Sequence, residues 1–402
     1  MRIAFIGTRG VPARYGGFET AAEEIGARLV DRGHRVVVYC RGAEDTGKRE
    51  HLGMDLVHLP ALRSRTAETL SHTAASVLHQ QVARADVAVV FNAANAPLLP
   101  ALRLRRIPTA VHVDGLEWQR TKWSATGQRY YRLAEKLAVR WGDALIADAR
   151  GIQDYYRDEH RARTWFIPYG APDTSGVGGG RLGELDLAAD GYHLVVARFE
   201  PENKVERIVE GYRRSAARLP LVVVGGAPYD SGYGDLVRAT AGDDPRIRLV
   251  GPVWDQELLD QLYAGARTYL HGHSVGGTNP SLLRAVGGGA PTVAFDVSFN
   301  REVLLGNGVF FRDPQDVARA VEDAEADPAA AHERGRLAHA DVLHRYHWDG
   351  VAADYERLCL ALAEGTAATP PADLDVRPAG VVDLAAVRAQ VPGPAAERTT
   401  VR

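Results

Sequence analysis

Near the start of the chain, Ile3-Ala-Phe-Ile6 forms a short apolar run that ends in Gly7. A glycine-rich loop leads from it to a stretch where Phe18, Ala22, Ile25 and Leu29 recur at helical spacing. Gly33 sits where a helix stops, and Val36-Val-Val-Tyr39 is a second apolar run. A uniformly apolar strand is buried on both faces, and a helix between two such strands makes them parallel. That unit constrains the chain to an open, doubly wound α/β sheet. Further strands are expected at Asp55–Leu59, Val87–Phe91, Thr109–Val113 and Ala144–Ala147, with helices between them. Tyr169–Pro172 and the glycine-rich Ser175–Gly180 then read as a connection, and the alternation restarts. Strands are expected at His193–Arg198, Leu221–Val224, Ile247–Val250, Thr268–Leu270, Thr292–Phe295 and Val309–Phe311.

Two such sheets account for most of the 402 residues. The expected division is a first Rossmann-like domain over 1–172, a linker over 173–190 and a second Rossmann-like domain over 191–345. A helix over 346–365 returns toward the first domain. An Ala/Pro/Thr-rich, disordered tail covers 366–402. Asp316–Tyr346 reads as one helix opened by Asp316, and Phe299–Glu302 as a loop at the end of a strand.

Forty-eight basic against 51 acidic residues leave a formal charge of −3, which argues against nucleic acid as a partner. Cys40 and Cys359 alone support neither a disulfide framework nor a four-thiolate zinc site. The first residues read as a strand rather than a signal peptide, and no apolar run reaches the length of a membrane span. A cytoplasmic protein is therefore expected. Lysine occurs only at 48, 122, 136 and 204, which singles out each one.

Open sheets bind ligands in loops beyond the carboxyl ends of their strands, and four loops there carry chemistry. Gly16-Gly17 opens the first helix, where bare backbone and free amides suit an anion; a plain turn is the alternative. The stretch from His112 through Asp114, Glu117, Trp118, Lys122 and Trp123 mixes ionisable and aromatic groups. Such a mixture suits a sugar, and core packing by the tryptophans is the other reading. Arg198 and Lys204 bracket a strand-to-helix loop and suit a diphosphate, unless Arg198 simply pairs with Glu200 and Glu202. Finally, His271–Ser281 offers Gly276, Gly277, Thr278, Asn279 and Ser281 at a helix start, with Glu302 in the next strand-end loop. His271 and His273 have no third ligand of the right kind nearby, Glu302 being the only outsider, so no metal is expected. Gly-x-Ser-x-Gly, HExxH and CxxC are absent, and the one Asp-x-Asp, Asp373 with Asp375, lies in the tail.

The segments IGTRGVPARYGGFET, HVDGLEWQRTKW, ARFEPENK, HGHSVGGTNPSLL and FDVSFNREVL resemble, in order, motifs of retaining glycosyltransferases of family 4. They are most similar to a rhamnosyltransferase-like bacterial subgroup. The resemblance runs from Met1 to about Tyr355. It implies a GT-B fold, with two Rossmann-like domains facing across a cleft. It also implies transfer of a sugar, rhamnose in the subgroup, from a nucleoside diphosphate to a glycan or lipid-linked acceptor, without a metal or other cofactor. By the same resemblance Arg198 and Lys204 neutralise the leaving diphosphate, with the helix start at Ser281 assisting. Gly276–Asn279 and Glu302 would serve the donor, and His112 and Asp114 would line the reacting centre. Gly16, Gly17, Glu117 and Trp118 would face the acceptor or diphosphate.

Such acceptors sit at membranes, which leaves room for peripheral attachment. Arg103-Leu-Arg-Arg106 reads first as a solvated helix end and second as a contributor to it. One departure stands out. The family usually carries two glutamates eight residues apart, and here those positions are Gly276 and Arg284. A cation cannot accept hydrogen bonds from ribose hydroxyls. Arg284 is expected to pair with a phosphate or with Glu302. The alternatives are a sugar-nucleotide epimerase on the same fold, or an idle relative acting as a scaffold.

Overall fold

The computed structural model describes residues 1–13, 16–42, 47–62, 67–113, 115–120, 123–227 and 232–371. The first half contains β1 (Arg2–Ile6), β2 (Arg35–Arg41), β3 (Glu50–His51) and β4 (Met54–Leu59). It continues with β5 (Val87–Phe91), β6 (Thr109–His112), β7 (Ala144–Ala147) and β8 (Trp165–Phe166). They form one sheet in the order β3-β4-β2-β1-β5-β6-β7-β8, parallel except for the short β3 edge. The helices are α1 (Gly17–Asp31), α2 (Glu68–Gln80), α3 (Leu99–Leu104), α4 (Ala125–Trp141) and α5 (Arg150–His160). Ile3 to Ile6 are fully buried, as strands covered by helices on both faces must be.

The second sheet holds β9 (His193–Val196), β10 (Leu221–Val224), β11 (Ile247–Gly251), β12 (Thr268–His271), β13 (Thr292–Phe295) and β14 (Val309–Phe311). Its order is β11-β10-β9-β12-β13-β14, all parallel. Around it lie α6 (Val205–Arg214), α7 (Tyr233–Ala241), α8 (Gln256–Ala264), α9 (Pro280–Gly287) and α10 (Ser298–Leu304). Then come α11 (Pro314–Ala326), α12 (Pro328–Arg345) and α13 (Trp348–Glu364).

The chain passes between the halves twice, and the two crossings touch. Ala171 N–H donates to Tyr346 C=O, and a side chain on Gly170 would collide with Trp348. Beyond the second crossing α13 packs on α1, where Arg28 pairs with Asp349, and Arg32 and His34 with Glu356.

Three local expectations are corrected. Phe299–Glu302 lies inside the helix α10 and not in a loop. The stretch expected as one helix is two. Asp313 caps α11, with Asp316 completing a capping box from inside, and Pro328 opens α12 behind its own cap, Asp327. The expected tail also begins too early. Ala367 is buried and its carbonyl accepts the Trp165 indole N–H at 2.9 Å. Residues 372–402, including Asp373 and Asp375, lie outside the described residues.

Candidate active site

The loops singled out in the sequence meet where the carboxyl ends of the two sheets face each other. On the first-half side, Gly16 has φ 108° and precedes the first turn of α1. A Cβ there would lie 2.3 Å from Glu19 Oε2, so the carboxylate of the first turn closes over the glycine backbone. Glu19 Oε1 accepts the Arg9 N–H at 2.8 Å, and burial raises its carboxyl pKa. A Cβ on Gly17 would touch Pro280 Cγ at 3.1 Å. The N-termini of α1 and α9 therefore abut across the cleft.

His112 ends β6 and is buried among rings. Its imidazole stacks between Phe91 and Tyr169, each 5.8 Å away, with Phe18 edge-on at 5.0 Å. Burial pushes its pKa down to about 3, so the ring is neutral at pH 7 and works as a hydrogen-bonding group. Asp114 and Lys122 lie outside the described residues. Glu117 is buried, with Oε1 on Arg120 Nε at 2.5 Å and Oε2 accepting the Trp123 indole N–H at 3.3 Å. Trp118 turns toward α4, where the Arg132 guanidinium covers its ring at 4.3 Å. Its sequence reading as a sugar platform meets a face already occupied.

The second-half wall is laced by polar side chains. Asn203 Nδ2–H donates to the Arg198 carbonyl at 2.8 Å, so its Oδ1 is left to accept from His273 Nδ1–H at 3.0 Å. Ser274 donates twice to the Glu202 carbonyl, and Asn300 Nδ2–H to the His273 carbonyl at 3.0 Å. Gly272 has no room for a side chain, whose Cβ would sit 2.1 Å from the Asn203 carbonyl oxygen. This framework presents Arg198, two-fifths exposed, and Lys204, half-buried at the left-handed turn before α6. Burial lowers the Lys204 pKa.

Gly276, Gly277 and Thr278 approach the other half of the protein. A Cβ on Gly277 would lie 2.0 Å from Asp148 Oδ1, and one on Gly115 2.2 Å from Gly276 Cα. Thr278 Oγ1 donates to the Asp148 carbonyl at 2.6 Å. The glycines thus permit close contact between the two halves. Asn279 caps α9 by accepting the Ser281 N–H, while Ser281 Oγ bonds Tyr263 and Tyr269 beneath the helix. Both polar groups of Ser281 therefore have partners within the fold.

Glu302 is buried and accepts the Arg150 N–H at the start of α5, again across the cleft, at 2.9 Å. Burial raises its pKa to about 7. Arg284 departs from expectation: its guanidinium pairs with Asp260 of α8 at 2.5 Å, not with Glu302. The two carboxylates are on different helices, and α8 faces α9 directly.

The sequence reading passed over Arg120, although it stands in the Glu-Trp-Gln-Arg run. Its Nη1 lies 3.9 Å from Glu200 Oε2, and Arg198 Nη2 reaches the same oxygen at 3.8 Å. Glu200 is thus placed between cations of both halves that are 78 residues apart in sequence, a juxtaposition that spacing could not reveal. Among the described residues no three His, Cys, Asp or Glu side chains are gathered to hold a metal ion.

Two parallel α/β sheets with their strand ends facing across such a cleft make this a GT-B fold. Residues 191–327 match the family described as Glycosyl transferases group 1, and residues 1–172 match that described as Domain of unknown function (DUF1972). A curated relative, the O-antigen chain mannosyltransferase B of Escherichia coli, is 29% identical over 143 residues. That match spans 34% of this chain and 36% of the relative. Among solved structures, a sucrose-phosphate synthase from Thermosynechococcus elongatus has a TM-score of 0.78 at 21% identity, covering 90% of this chain and 98% of that one. HepE from Anabaena in complex with UDP has a TM-score of 0.72 at 18% identity, covering 90% and 100%.

Proposed function

We propose that this protein is a glycosyltransferase that moves a sugar from a nucleoside diphosphate to a glycan or lipid-linked acceptor in the assembly of a cell-surface polysaccharide. The observation that carries the reading is the pair Arg198 and Lys204, held by a hydrogen-bonded loop framework on one wall of the cleft, opposite a neutral buried His112 on the other. Fixed cations stabilise negative charge that grows on a departing diphosphate without reorganising as the bond breaks. A neutral imidazole adds no competing cation and can hydrogen-bond a sugar hydroxyl. The UDP complex of HepE and the mannosyltransferase relative support a nucleotide-sugar donor and a glycan acceptor.

The finer features rest on the sequence resemblance: rhamnose as the sugar, family 4 membership, and retention of anomeric configuration with the leaving phosphate taking the acceptor's proton. Gly276–Asn279 and Glu302 would border the donor sugar, Gly16, Gly17 and Glu117 the diphosphate or the acceptor, and His112 and Asp114 the reacting centre. Work inside the cell, at the inner face of its membrane, belongs to the same reading.

The test is incubation with radiolabelled deoxythymidine-diphosphate rhamnose, UDP-glucose and GDP-mannose, with and without a lipid-linked glycan. Labelled product whose new bond keeps the donor's anomeric configuration by NMR supports the reading. Interconversion of the free nucleotide sugars points to an epimerase. Silence with every donor points to a scaffold, a role favoured by Arg284, a cation paired with Asp260 at a position where a carboxylate would serve the ribose.

A further inference from the structure

Arginine is plentiful in this chain, and over most of the surface it is answered by carboxylates: Arg28, Arg181, Arg246, Arg267, Arg301 and Arg345 each hold one. One face of the first half breaks that pattern. Along α4 the exposed residues Arg129, Arg132, Leu133, Lys136 and Arg140 fall on a single stripe of the helix. Like charges four residues apart weaken a helix, yet the only acid of α4, Glu135, is buried and accepts the Tyr155 hydroxyl at 2.9 Å. The stripe continues onto the neighbouring helix ends. Arg103 Nη1 reaches the Arg140 carbonyl at 3.4 Å, and Arg84 the Arg106 carbonyl at 3.4 Å, which joins the ends of α2, α3 and α4 into one surface. Among the described residues none of these cations holds a carboxylate in an ion pair, although the Arg132 guanidinium also lies over the Trp118 ring.

Apolar side chains are set among the cations. Val82 is 89% exposed, Leu104 84%, Leu78 68% and Leu133 53%. Aliphatic groups this open, beside unanswered cations, are what a lipid interface takes up: the charges meet anionic headgroups and the leucines enter the boundary below. A nucleic acid would use the cations and leave the aliphatic groups in water. Among the described residues no helix is long and apolar enough to cross a membrane, so surface attachment is the mode this face fits.

We propose that the outer face of α4, with the ends of α2 and α3, is the docking surface for an anionic lipid bilayer. The partner rests on the transferase reading at one point. α4 starts just beyond Glu117 and Trp123, so a bilayer along it brings a lipid-linked acceptor to the edge of the cleft.

The test is co-sedimentation of the full chain with vesicles of phosphatidylcholine alone or with one-third phosphatidylglycerol, without donor or acceptor, so that it stands apart from transferase activity. Binding is expected with phosphatidylglycerol only, and it should weaken as salt rises. Each neutralised cation should cost about fivefold in partitioning, hence about 25-fold for Arg105→Gln with Arg106→Gln. Lys136→Gln with Arg140→Gln, on a different element, should lose a similar factor, which guards against a local folding defect. A Leu104→Ser variant should lose binding by a similar factor at low and at high salt, because insertion of the leucine is not screened. Equal binding to both vesicles, unchanged binding by both double variants, or binding to duplex DNA in place of vesicles would overturn the proposal.

Discussion

On the second-half wall of the cleft, Asn203, His273, Ser274 and Asn300 tie two loops together by side-chain hydrogen bonds. On the first-half wall, His112 is held by Phe18, Phe91 and Tyr169 through ring contacts. Hydrogen bonds fix direction, so the polar wall can aim two cations at one point; ring stacking fixes position and excludes water, so the apolar wall keeps a titratable group neutral. The division teaches where each wall is vulnerable. Truncation of a polar group should disable the first kind of wall, and a change of pH should disturb the second.

The largest effect is expected at Lys204. If it meets the leaving diphosphate, Lys204→Ala should lower turnover about 10²–10³-fold, as loss of one preorganised charge-stabilising group does, with thermal stability little changed. A variant that retains turnover removes Lys204 from the site. Glu302 tests the boundary between the walls. Its folded pKa is raised from 4.5 to about 7, so the stability it contributes is present below pH 4.5 and is lost as pH rises through 7. Full titration is worth of the order of 3 kcal/mol. Glu302→Gln still accepts the Arg150 N–H and does not ionise, so its advantage in urea unfolding should be small at pH 4.5 and grow toward pH 8.5. An advantage independent of pH would mean that the carboxylate is charged and satisfied in the fold.

Burial also acts on His112, with the opposite sign. Its pKa falls from 6.5 to about 3, so the unfolded chain takes up a proton that the folded one refuses. Stability is therefore lost as pH falls below 6.5, by about 2 kcal/mol at pH 5. His112→Phe keeps the ring shape and removes the loss, so the gap between variant and parent should move in the variant's favour between pH 7 and 5. A gap constant over that range would place a charged imidazole inside the stack. Asn203→Ala breaks the polar lacing at two bonds, each worth about 1 kcal/mol net. Its signature should be a KM for donor raised about tenfold, since the loop that aims Arg198 loosens.

How far these walls could be read in the sequence depends on the range of each interaction. The strands were legible because a buried parallel strand is apolar along its whole length, as Ile3–Ile6 and Leu221–Val224 are. β3 and β8 have two residues each and leave no pattern to read. At α11 the better cue was Pro314 behind Asp313, a proline at the first helical position, not Asp316 three residues on. The loops of the site were legible from their place after strands. What they touch was not. Gly277 reads as a residue that lets something come close, but only the fold shows that Asp148 occupies that space. Tyr169, read as part of a connection, turns out to be the second ring against His112.

Arg284 is the smallest expected effect and the sharpest question for the polar wall. Its pair with Asp260 is a fifth or less exposed on either side chain, and its loss in Arg284→Ala should cost about 1 kcal/mol in unfolding. Arg284→Glu sets two carboxylates face to face and should be worse than alanine by a similar amount. Adding Asp260→Asn removes that repulsion. If position 284 faces the nucleotide, the double variant regains an acceptor for ribose hydroxyls, and calorimetry should show tighter nucleotide binding than in the parent. If affinity is unchanged while stability returns, the arginine serves only to join α8 to α9. The polar wall then ends at Ser281, and the donor's nucleoside is held elsewhere.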